Sequence, residues 1–406
     1  MQLERRKPGS AAVSRRSHHS VSPTQRDLFL AHQRAPRATT YSLGVSAALP
    51  RRVDVSLWRR ALAAVVHSEP ALRSCFAMSR DEVVAWTDEG CTEPFTALRG
   101  VEDIDRYVRV PYDLEAGPLV RHALAQQGER PPVAVVAAHH IVLDAPGGVL
   151  FLARAWETYL ALEAGLPPPR RRAAAFADYA AQSIAMFDTP TCRAAWTERL
   201  RDVVPLIPLA DRPASPAMHV AHALLDLRCP VAARAVAPRV LAGYAYALAS
   251  MLRPRGRFII HDLAGSRHGC FRETIGCLYQ VIPVVFPPDA ARRGASANWV
   301  EHAATYRPHL GQDRHISVAL QRRFAPREGV RFHFNFYAFD RFELSGTPTL
   351  AAVHDGFPAD EAHLLAKPRH EGVRLELHHP ASVDGERLLA AVVDACATMD
   401  VLPAVT

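Results

Sequence analysis

Residues 133–148 read VAVVAAHHIVLDAPGG, and this stretch decides the fold. The apolar run at 133–138 predicts a short central strand that is covered on both faces. A turn through 144–148 follows, and apolar residues at helical spacing over 149–160 predict a helix after it. Because a strand–turn–helix unit places its turn at the edge of a sheet, the polar residues of this segment are expected where reactive groups are commonly presented.

The polar residues of this stretch, His139, His140 and Asp144, suit acid–base chemistry. Histidine has an ordinary pKa of ~6.5, so it can accept a proton near neutral pH. Adjacent residues at a strand end point in opposite directions, so only one imidazole can face a cavity and the other packs beneath it. Asp144 either orients that ring directly or holds the turn through an arginine. No further ligands lie at suitable local spacing, so no metal site is predicted.

The rest of the chain also mixes helical and extended patterns. Residues 54–66 carry apolar side chains at helical spacing, and Pro70 ends that helix. Further helices are predicted at 194–204, at 231–251 and from Gly385, and strands at 257–261, 330–337 and 373–377. This mixture predicts two α/β lobes of similar size.

The length of the chain also requires more than one core, since 406 residues exceed what a single ordinary core accommodates. We expect a disordered basic tail at 1–20, an N-terminal lobe at 21–190 that carries the two histidines, and a C-terminal lobe at 191–406. The proline-rich and basic stretch at 165–215 contains the expected connection between the lobes.

Composition argues against several classes of protein. No segment approaches the ~18 uninterrupted apolar residues of a membrane span, and no secretory signal is visible, so we expect a cytoplasmic, monomeric enzyme that does not bind membranes. The 7 cysteines are scattered without a close CxxC pair, which argues against a disulfide framework. The net charge of +7 favours acidic partners. The basic clusters lack interleaved aromatic residues, so nucleic-acid binding is not expected.

Residues 139–144 resemble the HHxxxDG motif of the condensation domains of nonribosomal peptide synthetases. Further segments that resemble motifs of this family follow in the expected order, at 22–29, 68–76, 112–119, 176–180 and 275–283. In the second of these, Glu69-Pro70 stands where the family has His-Glu. The ordered series is more specific than any single motif, and the similarity covers residues 22–400.

The resemblance implies an α/β fold of two chloramphenicol acetyltransferase-like lobes, arranged as a V-shaped pseudo-dimer with a central tunnel. It implies that His140 projects into the tunnel as the base or as the group that positions the acceptor nucleophile. His139 is expected to be mainly structural. Asp144 is expected to form a buried ion pair with Arg73, the arginine that matches the family pattern.

The resemblance also assigns Gly147, Gly148 and Gln280 to the substrate tunnel, with Gln280 in place of the usual asparagine. The sequence departs from the family directly after the aspartate, where Ala145-Pro146 replaces the motif glycine. Alanine resists the positive φ that glycine adopts, so this departure bears on activity more than on fold. The late RDxSRNPL-type motif is not recognisable, which leaves the acceptor side open.

The function implied is that of a free-standing condensation enzyme of natural-product biosynthesis. It would transfer an acyl or aminoacyl group from a carrier-protein phosphopantetheine thioester to an amine and form an amide. No bound cofactor is expected, because the phosphopantetheine arrives with the donor substrate. The acyl or peptidyl carrier protein would act in trans, and the amine acceptor would be free or carrier-bound. The alternatives are an ester-forming O-acyltransferase and a catalytically degenerate domain that binds carrier proteins.

Overall fold

The computed structural model describes residues 18–91, 94–187, 189–206, 218–226, 233–288, 330–337, 341–344, 347–358, 360–369 and 372–399. Of the expected basic tail, residues 1–17 lie outside this set. His19, by contrast, forms a β-bridge with Ala85. Ordered structure therefore includes part of the segment that was expected to be a tail.

The described chain contains both helices and strands in mixed order. Its α-helices are α1 (Pro23–His32), α2 (Val55–Ser68), α3 (Ile104–Val108), α4 (Ala145–Glu163), α5 (Phe176–Phe187), α6 (Pro190–Arg199), α7 (Ala233–Leu252) and α8 (Gly385–Thr398). Its strands are β1 (Ser42–Ala48), β2 (Ser74–Ser79), β3 (Glu82–Thr87), β4 (Phe95–Leu98), β5 (Val120–Gln127), β6 (Arg130–His139), β7 (Met218–Leu225), β8 (Phe258–Gly265), β9 (Tyr279–Phe286), β10 (Arg331–Phe336), β11 (Arg341–Leu344), β12 (Thr347–Asp355), β13 (Glu361–Arg369) and β14 (Gly372–Pro380). Short 3₁₀ helices lie at Pro70–Arg73, Val101–Asp103 and Gly269–Phe271.

Two compact units divide the chain. The first consists of Met1–Ile184, Gly265–Tyr279 and Phe339–Gly356, and the second of Ala185–Ala264, Gln280–Ala338 and Phe357–Thr406. The chain thus leaves the first unit at Ile184, inside the stretch where a connection was expected. The predicted lobes at 21–190 and 191–406 omit the two later segments that return to the first unit, because nothing in their local pattern indicates where they pack.

Each unit is built on its own six-stranded sheet. The order is β11-β12-β1-β6-β5-β4 in the first unit and β7-β14-β13-β10-β8-β9 in the second, and β2 and β3 form a separate hairpin. Antiparallel and parallel pairs occur together: β6 runs antiparallel to β1 and β5, whereas β10 runs parallel to β8 and β13. The prediction of an α/β fold class is confirmed, while the V-shaped arrangement with a tunnel stays a prediction.

Helix α2 illustrates how the local sequence sets an element. Asp54 caps its N-terminus by accepting a hydrogen bond from the Leu57 backbone N–H at 2.9 Å. One face carries the buried side chains Trp58, Ala61, Leu62, Val65 and Val66, as the helical spacing predicts. The helix ends at Ser68, two residues before Pro70. Among the helices in the described ranges, none is long and apolar enough to cross a membrane.

The strand–turn–helix unit around the histidines is formed by β6 and α4. Strand β6 is buried from Pro132 onward and pairs on both sides, since Val136 lies opposite Val45 of β1 and His122 of β5. Helix α4 begins at Ala145, earlier than the predicted start at residue 149, because Asp144 acts as its N-cap and Pro146 lies in its first turn. The glycines that were expected in a turn are therefore helical residues.

Candidate active site

The last residue of β6 and the tight turn after it carry both histidines. His139 pairs with Ser42 of β1, and the His140 backbone N–H donates to the carbonyl of Tyr41 at 2.8 Å. The Val142 N–H donates back to the His139 carbonyl at 3.1 Å, which closes the turn. The two imidazoles therefore start from adjacent positions of one rigid backbone segment and point into different surroundings.

The imidazole of His139 lies in the packed interior. Its Nδ1 accepts a hydrogen bond from the Ile141 N–H at 3.1 Å, so the neutral ring carries its proton on Nε2. The rings of His32, Tyr41 and Tyr112 surround it with centroids 5.1 to 6.0 Å away. Burial, together with the neighbouring His32 and His140, lowers the pKa of His139 well below its ordinary value. These contacts support the structural role expected for this residue.

The imidazole of His140, by contrast, is 19% exposed. Its Nε2 lies 3.9 Å from Oδ1 of Asp355 at the end of β12, and its ring meets that of Tyr279 edge-on at 5.1 Å. Asp355 is brought here by the pairing of β12 with β1, in which it stands opposite Leu43. The turn thus presents one accessible imidazole with a buried carboxylate beside it.

The charge state of His140 follows from two opposing effects. Burial lowers its pKa below the ordinary value, while the carboxylates of Asp355 and Asp144 raise it by favouring the imidazolium. Burial is the larger effect, so the ring is neutral at pH 7 and can accept a proton. The two carboxylates would then stabilise the cation that proton transfer creates.

Asp144 is fully occupied by contacts that hold the turn. Its Oδ2 accepts from Nη1 of Arg267 at 2.6 Å and from the Leu278 N–H at 2.8 Å, and its Oδ1 accepts from the Gly147 N–H at 2.8 Å. Arg267 in turn donates to the carbonyls of Thr274 and Gly276. A buried carboxylate that accepts three hydrogen bonds orients its surroundings, and neither histidine ring is among these three donors. Of the two roles open to Asp144, the structure supports fixing the turn through an arginine.

The expected pair between Asp144 and Arg73 is wrong, because the arginine at Asp144 is Arg267. Arg73 ends a 3₁₀ helix next to the β2–β3 hairpin, and its Nη1 pairs with Oε2 of Glu89 at 2.6 Å. Its Nη2 donates to the carbonyl of His67 at 3.3 Å. Arg73 therefore links the end of α2 to the segment that follows β3, and the arginine at the histidine turn is Arg267.

The opening motif of the chain also reaches this turn. Gln25 belongs to a capping box with Ser22 at the start of α1, and its side-chain amide donates to the carbonyl of Ile141 at 2.9 Å. The Thr24 hydroxyl donates to the carbonyl of Tyr279 at 3.1 Å. Helix α1 therefore holds both the turn and the residue whose ring meets His140.

The residues after Asp144 fit the backbone without strain. Ala145 lies in the first turn of α4 and is not among the described non-glycine residues with positive φ. A Cβ on Gly147 would lie 2.9 Å from the Arg267 guanidinium, and one on Gly148 would lie 2.5 Å from Val45. Both glycines thus make room for protein side chains, and their tunnel role stays a prediction. Gln280 is a buried residue of β9 in the second unit, and its tunnel role is likewise untested.

Sequence reasoning missed Arg267 and Asp355. Both lie in segments that return to the first unit after long excursions of the chain, and neither stands in a periodic pattern that would mark it. The residues next to a single charged residue in the sequence do not indicate which distant residue it will pair with. Only the sheet pairing of β12 and the contacts of the segment before β9 bring them to the turn.

Comparison with known proteins decides the family. Residues 15–224, more than half of the chain, match the family described as "Condensation domain". The chain belongs to the condensation-domain family of acyltransferases. Among curated relatives of this condensation domain, surfactin synthase subunit 2 of Bacillus subtilis (strain 168) is 26% identical over 159 residues, which covers 38% of this chain and 4% of the relative.

Other relatives give the same picture. Phosphinothricin tripeptide synthetase PhsC of Streptomyces viridochromogenes is 29% identical over 212 residues, which covers 48% of this chain and 19% of that protein. The chain therefore spans only a small part of the length of these curated relatives.

Solved structures with the same fold are condensation domains. The starter condensation domain of rhizomide synthetase RzmA, in complex with C8-CoA and Leu-SNAC, has a TM-score of 0.80 at 20% identity and covers 96% of this chain and 97% of its own. The first condensation domain of the calcium-dependent antibiotic synthetase, in complex with a substrate analogue, has a TM-score of 0.77 at 22% identity, with 96% and 98% covered. The condensation-domain fold therefore extends over nearly the whole chain.

Proposed function

We propose that this condensation domain transfers an acyl or aminoacyl group from the phosphopantetheine thioester of a carrier protein to an amine, forming an amide. The observation that carries the proposal is the contrast between two adjacent imidazoles. His140 is solvent-accessible, neutral at pH 7 and flanked by a carboxylate, whereas His139 is packed among rings. The accessible ring is the group placed to handle the proton of an incoming nucleophile.

The bond changes follow from this assignment. The amine nitrogen attacks the thioester carbonyl, and His140 takes the proton that the nitrogen loses as the C–N bond forms. The C–S bond then breaks, and the proton passes to the thiolate sulfur, so the imidazole returns to its neutral form. The negative charge of Asp355, 3.9 Å from the ring, favours the transient imidazolium. Asp144 contributes by holding the turn and does not exchange a proton.

The proposal of a carrier-bound thioester donor is supported by the net charge of the chain and by the ligands of a related structure. The chain carries a net charge of +7, which favours association with an acidic carrier protein supplied as a separate partner. The ligands named for the rhizomide synthetase domain, C8-CoA and Leu-SNAC, support thioester chemistry at the equivalent domain here. The acceptor amine is either free or bound to a second carrier, and phosphopantetheine takes part as substrate rather than as a resident cofactor.

The alternative functions receive less support. A degenerate domain that only binds carrier proteins was suggested by Ala145-Pro146, yet these residues start α4 without positive φ. Asp144 still accepts the hydrogen bonds that hold the turn. His140 is neutral at pH 7, as a general base must be. Ester formation uses the same residues with a hydroxyl in place of the amine, so the acceptor distinguishes it from amide formation.

Reconstitution separates these functions. A carrier protein charged with an acyl group is incubated with the condensation domain and with matched amines and alcohols, and products are identified by mass spectrometry. We expect amide formation from the carrier-bound donor that exceeds ester formation and is lost in His140→Ala. His67→Ala, which changes an exposed histidine, is the matched control and should retain activity. Product made equally by wild type and His140→Ala, or ester as the main product, would contradict the proposal.

A further inference from the structure

A second group of histidines lies in the sheet of the second unit, apart from the residues of the candidate active site. His261 of β8, His333 of β10, His363 of β13 and His378 of β14 occupy one register row across four neighbouring strands. Residues paired directly across strands point to the same face, so these side chains form a continuous row. The rings of His333 and His363 stack at 4.3 Å with an interplanar angle of 8°.

The buried carboxylate of Glu361 lies beside the two central histidines of this row, His333 and His363. Glu361 lies two residues before His363 on the same strand, so both side chains point to one face of the sheet. Its Oε2 is 2.7 Å from Nε2 of His363 and 3.3 Å from Nε2 of His333. The three residues are buried, and their ligand atoms lie within 4.8 Å of one another.

The polar atoms of this group are incompletely satisfied. Neither ring nitrogen of His333 makes a hydrogen bond in the described structure, although the side chain is only 8% exposed. Nδ1 of His363 is also without a partner there. Buried polar groups usually have hydrogen-bond partners. Nε2 of His333 faces Glu361 at 3.3 Å without a hydrogen bond, so this nitrogen is the one that a ligand between the two residues would satisfy.

We propose that His333, Glu361 and His363 form a binding site for a divalent transition-metal ion, with Zn²⁺ as the reference ion. Two imidazoles and one carboxylate are a known zinc donor set, and they leave the fourth position for water or another small donor. In a tetrahedral site the ligand atoms lie roughly 3.4 Å apart, as zinc–ligand distances of about 2.0–2.2 Å require. The 3.3 Å contact between Nε2 of His333 and Oε2 matches that spacing. The 2.7 Å contact of His363 is a hydrogen bond, and its two atoms must move apart by about 0.7 Å to admit the ion.

The surroundings also suit a cation. Arg331 holds Oε1 of Glu361 at 2.7 Å, which leaves Oε2 for the metal and supplies the outer-shell contact that ligating carboxylates normally have. The charge of Arg331 is shared with Asp360, 2.9 Å away, so one net negative charge remains at the site.

No metal site is predicted from the sequence, because no set of ligands lies at close local spacing. Here the ligands come from β10 and β13, which are separated along the chain and become neighbours only through parallel pairing. A Glu-x-His pair and a distant histidine are each too common to indicate a site.

The test is zinc binding by calorimetry to untagged, EDTA-treated and dialysed protein. We expect one equivalent of Zn²⁺ to bind, and His333→Asn and His363→Asn each to weaken binding by about tenfold or more. His379→Asn is the matched control. It changes a buried histidine of the same sheet that stacks on His219 and hydrogen-bonds the Pro380 carbonyl, so its zinc affinity should be unchanged. Absence of stoichiometric binding, or equal affinity in all variants, would overturn the site.

A measurement on wild-type protein covers the case in which a variant does not fold. X-ray absorption at the zinc edge, with one equivalent bound, should give a nitrogen and oxygen shell at about 2.0–2.2 Å with imidazole scattering from two rings. A shell that contains sulfur, or one without imidazole scattering, would place the ion elsewhere and refute the assignment.

Discussion

The guanidinium of Arg267 binds the carboxylate of Asp144 at 2.6 Å across 123 positions of sequence, and both side chains are nearly inaccessible to solvent. This pair joins the segment before β9 to the turn that carries the histidines. Because Asp144 also caps α4, one carboxylate sets the start of the helix, the path of the turn and the position of a distant segment. His140, the proposed base, lies in the turn that this carboxylate holds.

Removing the arginine should be strongly destabilising. Arg267→Gln leaves the buried Asp144 carboxylate without its cation, which is expected to lower the free energy of unfolding by about 3–5 kcal/mol. Denaturant unfolding of Arg267→Gln, Asp144→Asn and the double variant measures the coupling, and the two effects should be far from additive.

Glu89→Gln is the control for this cycle. It removes the partner of Arg73, but Glu89 is 76% exposed, so the loss should be at most about 1 kcal/mol. A strong coupling of Asp144→Asn with Glu89→Gln, and none with Arg267→Gln, would restore the pairing with Arg73.

The pH dependence of acyl transfer should report the carboxylate beside His140. The neutral ring is the active form, so the rate should fall as pH drops through its lowered pKa. Asp355→Asn removes a charge that favours the imidazolium, so it should lower that pKa further and move the acid limb to lower pH. Profiles of kcat/KM against pH measure the shift, and an acid limb that moves to higher pH or stays in place contradicts the role of Asp355.

His122 offers a test of stability against pH. Burial lowers its pKa to about 3, and neither ring nitrogen has a hydrogen-bond partner in the described structure. In the unfolded chain His122 takes up a proton near pH 6.5, whereas in the folded chain it stays neutral down to about pH 3. The free energy of unfolding therefore falls as pH drops below 6.5. This residue should cost about 3 kcal/mol between pH 6.5 and pH 4.

Replacing His122 by leucine should reduce that acid sensitivity. The free energy of unfolding, measured by denaturant at several pH values, should fall less steeply with acid in His122→Leu than in wild type. Parallel curves for the two proteins would mean that His122 is protonated in the folded state, contrary to its apolar surroundings beside Phe151.

Gln25 should stabilise the histidine turn, although it lies 116 positions away in the sequence. Gln25→Ala leaves the buried Ile141 carbonyl without its donor, which is expected to cost about 1–3 kcal/mol and to lower kcat by loosening the histidine turn. Gln126→Ala, at an exposed position of β5, is the control and should leave both quantities unchanged. Equal behaviour of the two variants in unfolding and turnover would remove Gln25 from the site.

The parts of the fold that were predictable are those with a local cause. The cap at Asp54, the spacing of apolar residues in α2 and the continuous apolar run of β6 each depend on neighbours in sequence. The family motifs identified the histidine turn for the same reason. Arg267 and Asp355 were not predictable, because long-range pairing brings them to the turn.

The early start of α4 was not predicted because the local sequence is ambiguous there. Glycine and proline after Asp144 were interpreted as a turn, although an aspartate cap followed by proline is equally typical of a helix start. In this structure the cap forms, because Oδ1 of Asp144 accepts from the Gly147 N–H while its Oδ2 contacts Arg267 and Leu278.

Single-turnover acyl transfer at pH 7 tests the central claim most directly, namely that the neutral imidazole of His140 accepts the proton of the nucleophile. With the donor preloaded on its carrier protein and the amine in excess, His140→Ala should slow amide formation by about 10²- to 10⁴-fold while the domain stays folded. An unchanged single-turnover rate in that variant would contradict the account.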